Sequence, residues 1–395
     1  MFDLYYVGID IAKRKHEAVV TDERGEIIIR AFSFTNDLKG YHYLLQRIRT
    51  VTKLREQIVF GMESTSHYWL ALYTRLIKDG YPVHVFNPMQ SDALRGMYIR
   101  QSKTDARDSF IIAEVIRFGK YSEANVPQEK LAALRELSRN RYFIVDSVSD
   151  LKRKVTALID QIFPEYENLF SNHFVSSSVA LLMKYPTPEK MKLANTQTMG
   201  KLLYKASNGY YGLGKAEEIK KAAKETFGIM DTCGIYAQLI VIYMKQIQFI
   251  QEQVREIDEQ ISEILTELNS VITSVSGIGE KLGAVILSEI GDIHRFKSAD
   301  KLAAYAGIDP TVKQSGTFCG VKNHMSKRGS PYLRRAIWQA CVIAVQHDPM
   351  FKAYYQKKAA EGKRYMNIIG HCTRKMISVI FAVLRDNKPY TPVIS

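Results

Sequence analysis

Residues 5–90 carry three β-type runs in a row, Tyr5–Asp10, Lys15–Thr21 and Ile27–Ser33, separated by turn signals such as Asp22-Glu23-Arg24-Gly25. Strands joined this closely predict an antiparallel meander. A helical stretch, Leu38–Thr50, then leads to a fourth strand, Ile58–Gly61. A helix over His67–Asp79 ends at Gly80, and a fifth strand follows over Pro82–Phe86. The last three elements read as a β-α-β unit. A meander joined to such a unit leaves very few ways to close one sheet, so this order constrains the first domain more than any other feature of the chain.

Acidic residues sit at telling places in that order. Asp10 ends the run Tyr5-Tyr6-Val7-Gly8-Ile9-Asp10, and Glu63 follows Ile58-Val59-Phe60-Gly61-Met62. Asp105 and Asp108 lie three apart in Lys103-Thr104-Asp105-Ala106-Arg107-Asp108, just before the helical pattern Ser109–Phe118. Residues i and i+3 share a helix face, so both carboxylates can point at one site. Unpaired they would repel, and a cation would relieve that repulsion. Carboxylates gathered from strand ends and a helix face suit a pair of Mg2+ ions clamping a phosphate, although a lone strand-end Asp is more often a cap or a solvated residue. Three strands followed by β-α-β, with an acid on the first strand, is the layout of ribonuclease H-like folds.

The chain has 395 residues, which predicts two or three domains. Lys and Arg total 55 against 41 Asp and Glu, a formal charge of +14. Such an excess favours a polyanion, nucleic acid or an anionic membrane. No apolar run reaches the roughly 18 residues needed to span a bilayer, and Met1-Phe2-Asp3-Leu4 has no basic segment ahead of an apolar one. Nucleic acid is therefore the expected partner, with no membrane, in the cytoplasm. The four cysteines, Cys233, Cys319, Cys341 and Cys372, form no C-x-x-C pair and no zinc spacing with His, which fits free thiols in a reducing compartment.

Residues 127–163 form a long helical pattern opened by Pro127 and closed by Pro164, with apolar residues at helical spacing from Leu131 to Ile162. A second stripe runs through Ile240, Tyr243, Ile247, Ile250, Val254, Ile257, Ile261, Ile264 and Leu268, a coiled-coil-like seam. The two helices can pair antiparallel in one chain or across a dimer, and periodicity does not choose. Between them lies a less regular insert at about 165–232. From residue 271 the pattern is compact and α-helical. The expected domains are 1–126, 127–270 and 271–395, so the fold class is α/β plus all-α.

Val275-Ser276-Gly277-Ile278-Gly279-Glu280-Lys281, before a helical pattern over Leu282–Ile290, fits a helix-hairpin-helix turn. Gly277 and Gly279 would let the backbone approach a phosphate, the helix N-terminus would offer N–H groups, and Lys281 would add charge. A plain tight turn would look the same. Gly212-Leu213-Gly214-Lys215 repeats the pattern more weakly. Farther on, Gln314-Ser315-Gly316 precedes Lys322, Lys327, Arg328, Arg334 and Arg335. A Ser-Gly pair is most often just a loop. At a DNA backbone, Ser315 would become a nucleophile once deprotonated or metal-activated, and the nearby cations would bind phosphate and steady its developing charge. A solvated basic helix start is the blander reading of those cations.

Taken in order, these segments resemble the DEDD transposases of the insertion-sequence-110 family, the bridge-RNA-guided recombinases, over nearly the whole chain. Gly8-Ile9-Asp10-Ile11-Ala12-Lys13, Glu63-Ser64-Thr65-Ser66-His67-Tyr68 and Lys103-Thr104-Asp105-Ala106-Arg107-Asp108 match the acidic motifs. Gly277-Ile278-Gly279, Phe296-Lys297-Ser298-Ala299, Tyr305-Ala306-Gly307-Ile308-Asp309-Pro310, Gln314-Ser315-Gly316 and Ser326-Lys327-Arg328-Gly329 follow the C-terminal transposase domain.

The resemblance implies an N-terminal RuvC-like domain in which Asp10, Glu63, Asp105 and Asp108 hold Mg2+, with Mn2+ as an alternative ion. It implies Ser315 as nucleophile in a C-terminal helical transposase domain with a helix-hairpin-helix turn. It implies donor and target DNA, a structured bridge RNA, and a homo-oligomer, dimer or tetramer. The family pattern commonly has Gly at the position of Ser66 and Glu at that of Gln314. The first change is tolerated unless the turn needs positive φ. The second removes a carboxylate beside the serine. Two rival readings remain: a hydrolytic RuvC-like nuclease, and a non-catalytic nucleic-acid scaffold.

Overall fold

The computed structural model describes residues 3–95, 104–119, 121, 129–232, 234–310, 314–315, 318–319 and 325–392, with the backbone alone at 314, 315, 318 and 319. The chain divides into two compact units, Met1–Val126 and Pro127–Ser395.

In the first unit β1 (Tyr5–Asp10), β2 (Lys15–Thr21) and β3 (Ile27–Thr35) form the antiparallel meander. Next come α1 (Leu38–Ile48), β4 (Ile58–Glu63), α2 (Trp69–Lys78) and β5 (Val83–Phe86). β4 pairs parallel with both β1 and β5, so the sheet order is β3-β2-β1-β4-β5. Strand alternation divides β1 between two faces. Val7 and Ile9 pack with Leu44, Ile48, Leu72 and Leu76 of α1 and α2. Tyr6 packs on the other side with Ile111, Ile112 and Ile116 of a later helix.

That helix is α4 (Asp105–Phe118), preceded by α3 (Pro88–Arg95). The register partners Gly8 and Gly61 make the slot into which α4 fits. A Cβ on Gly8 would overlap Ser109 O and Ala113 N, and one on Gly61 would come within 2.7 Å of Ile116 Cγ2. Backbone-to-backbone approach of this kind needs the missing side chains. It lays the first turn of α4 beside the end of β1. The mixed α/β architecture agrees with a RuvC-like N-terminal domain.

The second unit is helical. α5 (Glu129–Ile162) leads through a short 3-10 turn to α6 (Ser176–Lys184), α7 (Pro188–Leu193), α8 (Thr196–Ala206) and α9 (Leu213–Glu225), and then to α10 (Ile235–Leu268). The two long helices run antiparallel within the chain. Lys130 pairs with Glu267, Arg141 with Asp258, and Tyr236 Oη donates to Gln161 Oε1 at the far end. The expected seam holds at Ile240, Ile247 and Ile261, while Met244 and Leu265 are buried in place of Tyr243 and Ile264. The short helices of the insert close one end of this pair, with Leu181, Met199, Leu203 and Ile219 buried against Val155, Ile159 and Met244.

The rest comprises α11 (Glu280–Ile290), α12 (Ala299–Ala306), a hairpin of β6 (Gln314–Ser315) and β7 (Phe318–Cys319), then α13 (Pro331–His347), α14 (Pro349–Ala360) and α15 (Tyr365–Asp386). α15 is long and apolar enough to cross a membrane by length and composition. Its apolar face instead packs in the core, where Ile369, Cys372, Met376 and Ile380 are fully buried among residues of α11 and α13.

Candidate active site

Parallel pairing of β1 and β4 brings two acids to the same end of the sheet. Ile9 lies opposite Met62, so Asp10 and Glu63, the next residues, leave neighbouring strands at their carboxyl ends. Open α/β sheets bind ligands outside the carboxyl ends of their strands. α4 adds Asp105 and Asp108 in its first turn, where the helix dipole favours negative charge. The helix begins four residues earlier than the sequence suggested, so both acids are helical.

The four carboxylates feel one another. The Asp10 carboxyl is pushed up to about 6, chiefly by partial burial, then by the charges of Asp108, Glu63 and Asp105. The backbone N–H of Ile11 works against that rise. Asp108 is buried, Asp10 and Glu63 half-buried, and Asp105 exposed.

Three neighbours escaped the sequence reading. Ser91 Oγ donates to Glu63 Oε1 at 2.5 Å, Thr65 Oγ1 to Glu63 Oε2 at 3.2 Å, and Arg95 Nη2 to Asp108 Oδ1 at 2.8 Å. Ser91 and Arg95 belong to α3, a segment to which the sequence reading assigned no element. Asn87-Pro88 reads as a turn signal, yet Pro is also favoured at the first position of a helix.

This donor set suits a hard divalent cation in kind: all oxygen, four carboxylates, mutually repelling. Its side chains are not drawn into a closed shell. Among the described residues no three His, Cys, Asp or Glu side chains stand together closely enough to ligate one ion.

Ser315 lies in the second unit, in the β6–β7 hairpin, and so sits in a strand where a loop was expected. Ser315 pairs with Phe318, and the two enclose only Gly316 and Thr317. Pro310 and Met325 form an isolated antiparallel bridge, and Ser326 N and Lys327 N donate to the carbonyls of Asp309 and Gly307. Ser326 Oγ also donates to Asp309 Oδ1.

The basic residues fall into different settings. Lys322 lies outside the described residues. Lys327 and Arg328 are exposed, and Lys327 adopts φ +55°. Arg334 Nη1 donates to Ala306 O at 3.1 Å. Arg335 holds Asp146 of α5 with both Nη atoms, at 2.6 and 2.7 Å.

At the proposed phosphate turn, Gly277 has φ +85°, and a Cβ there would overlap Ala340 O of α13. Packing onto α13 therefore already accounts for this glycine. Gly279 precedes α11 and faces open space. Lys281 Nζ lies 4.0 Å from Asp258, and Glu280 accepts from Ser262.

Two family profiles match the chain. One described as "Transposase", for the DEDD group, covers residues 7–164, and one described as "Transposase IS116/IS110/IS902 family" covers residues 269–356. An uncharacterized protein of insertion element IS116 from Streptomyces clavuligerus is 25% identical, over 99% of this chain and 97% of its own length. An uncharacterized protein of insertion element IS110 from Streptomyces coelicolor is 28% identical, over 74% of this chain and 73% of its own. The pilin gene-inverting protein of Moraxella lacunata is 23% identical, over 98% and 97%.

Proposed function

The chain belongs to the IS116/IS110/IS902 family of transposases, and from that premise we propose that it is an RNA-guided DNA recombinase working through a phosphoserine. The observation that supports this most directly is that Glu63, Asp105 and Asp108 lie near enough to Asp10 for their charges to add to the effect of burial in raising its carboxyl. The relatives that invert a pilin gene or are carried by insertion elements fit DNA strand exchange.

Asp10, Glu63, Asp105 and Asp108 would hold Mg2+ or Mn2+. When bound there, the ion supplies Lewis-acid charge beside the scissile phosphate. Ser315 Oγ attacks phosphorus, the Oγ–P bond forms, the P–O3′ bond breaks, and the hydroxyl proton ends on the released 3′ oxygen. That 3′-hydroxyl then attacks the phosphoserine of a partner strand, which restores Ser315 and joins the exchanged strands. The number of phosphodiester bonds is conserved, so no nucleotide triphosphate is consumed. Lys327 and Arg328, both exposed, would meet backbone phosphates. Gly279 and Lys281 would offer a second backbone contact. A structured RNA would select DNA by pairing, the protein reading shape and backbone. The working assembly would be a homo-oligomer, a dimer or tetramer.

The experiment is to trap protein on nicked DNA under denaturing conditions. The unmutated protein should give a covalent adduct that Ser315→Ala abolishes. Cleavage without any adduct would favour a hydrolytic nuclease using the same acids. Sequencing the RNA that co-purifies tests the guide: one discrete species supports it, and random cellular RNA contradicts it.

A further inference from the structure

One short helix presents two donors to the acid cluster. Ser91 and Arg95 of α3 are four residues apart and so project from the same side. Ser91 Oγ donates to Glu63 at 2.5 Å, and Arg95 Nη2 to Asp108 at 2.8 Å. Arg95 Nη1 is held by Asp92 Oδ1, also at 2.5 Å. Arg95 Nε–H is buried and has no acceptor among the described residues.

The four carboxylates need a counter-charge whether or not a divalent ion is present. A guanidinium is a delocalised cation, so Arg95 supplies one. An oxygen bound to a divalent ion cannot also accept a full-strength hydrogen bond from a cation along the same direction, so the two compete for Asp108. The guanidinium edge formed by Nε and Nη2 is the one that grips two oxygens of a carboxylate or phosphate. Here Nη2 takes one oxygen of Asp108, and Nε is left over. That half-used edge matches the two non-bridging oxygens of a phosphodiester.

We infer that Arg95 is the internal counter-cation of the acid cluster, which a divalent ion displaces from Asp108 and so frees to grip a non-bridging oxygen of the DNA phosphate. The inference rests on the reading above that the four acids hold such an ion. Ser91 follows the same logic at Glu63 with a neutral donor, and so competes less.

The test is Mn2+ binding to the purified full-length protein, followed by calorimetry and by the Mn2+ electron-spin signal, with folding checked by circular dichroism. Arg95→Gln should bind Mn2+ about tenfold more tightly than the unmutated protein, a change of about 1.4 kcal/mol. Arg95→Lys, which keeps the charge and loses the fork, should gain less. With Mn2+ saturating, Arg95→Gln should bind a DNA duplex several-fold more weakly. Equal or weaker Mn2+ binding in Arg95→Gln overturns the competition, and unchanged duplex affinity overturns the phosphate contact. If Asp10→Asn abolishes Mn2+ binding while Arg95→Gln leaves it unaltered, only this inference falls. If the unmutated protein and Arg95→Gln both bind no Mn2+, the metal reading falls with it.

Discussion

Arg335 grips Asp146 with both terminal nitrogens, at 2.6 and 2.7 Å, and its guanidinium lies 4.3 Å from the centre of the Tyr142 ring. The contact ties the first turn of α13, in the domain that carries Ser315, to the middle of the long helix α5. In the sequence this arginine looks like a phosphate ligand because it sits in a basic run. In the fold it is a strut. Arg335→Ala should lower stability by about 1–2 kcal/mol, the sum of a half-exposed bidentate pair and a cation–π contact. Duplex affinity should stay within about twofold, whereas Lys327→Ala and Arg328→Ala should weaken it and flatten its salt dependence. Melting curves and fluorescence anisotropy decide. A large loss of affinity with unchanged melting would return Arg335 to the DNA surface.

Asp10 gives a pH dependence with a definite sign. Its carboxyl is raised from 3.8 to about 6 in the folded protein, so folding favours the protonated form. The folded state therefore binds more protons between those two values, and stability falls as pH rises through that window. Above it Asp10 is ionised in both states and repels its neighbours fully. In a chelator-containing buffer, Asp10→Asn should thus be more stable than the unmutated protein at pH 8. The gap should shrink steadily below pH 6 and close near pH 4, as urea or thermal melts would show. A gap independent of pH would mean that neither burial nor the other acids raise the Asp10 carboxyl.

Much of this was legible in the sequence. The strands β1 and β2 fall where the β-type runs and turn residues put them. The acids at strand ends were visible because a charge ending an apolar run is rare enough to notice. What stayed hidden was long-range. Ser91 and Arg95 lie in α3, eight residues long, too short for a periodic signal, and their partners Glu63 and Asp108 are 28 and 13 positions away. Gly277 matched a phosphate-turn pattern, yet the surface it meets is Ala340 of α13. The apolar stripes of α5 and α10 named the seam without its partner, since self-pairing and dimer pairing use the same periodicity.

The Gly8 slot gives the sharpest steric test. Its absent Cβ is what lets α4 approach β1 and hold Asp108 beside Asp10. The atoms it would strike, Ser109 O and Ala113 N, are backbone and cannot swing aside. Gly8→Ala should destabilise the protein by about 3 kcal/mol or more, the upper range of overpacking costs. Because the damage separates α4 from the sheet, Mn2+ binding should be lost at temperatures where the variant is still folded. Calorimetric melting with parallel Mn2+ titration measures both effects. A stable variant with unchanged Mn2+ affinity would refute the slot.

Ser66 is the opposite case, a position where a glycine is missing. It takes φ +56° in the segment after Glu63, the left-handed region that costs an L-residue about 1–2 kcal/mol. The condition attached to this departure from the family pattern is therefore met: the turn does need positive φ. What Ser66 contributes in return is modest. Its Oγ lies 3.3 Å from His67 Nδ1 on the surface, and the contact to Trp69 Nε1 uses its carbonyl, which glycine would keep. Glycine adds backbone freedom to the unfolded chain, which offsets about 0.4–1 kcal/mol of the relief. Ser66→Gly should therefore raise stability by about 0.5–1 kcal/mol, seen as a higher urea midpoint at constant slope. The turn sits next to Glu63, so Mn2+ affinity should be retained. A lower midpoint would show that the serine hydroxyl holds this turn through a contact stronger than the one to His67.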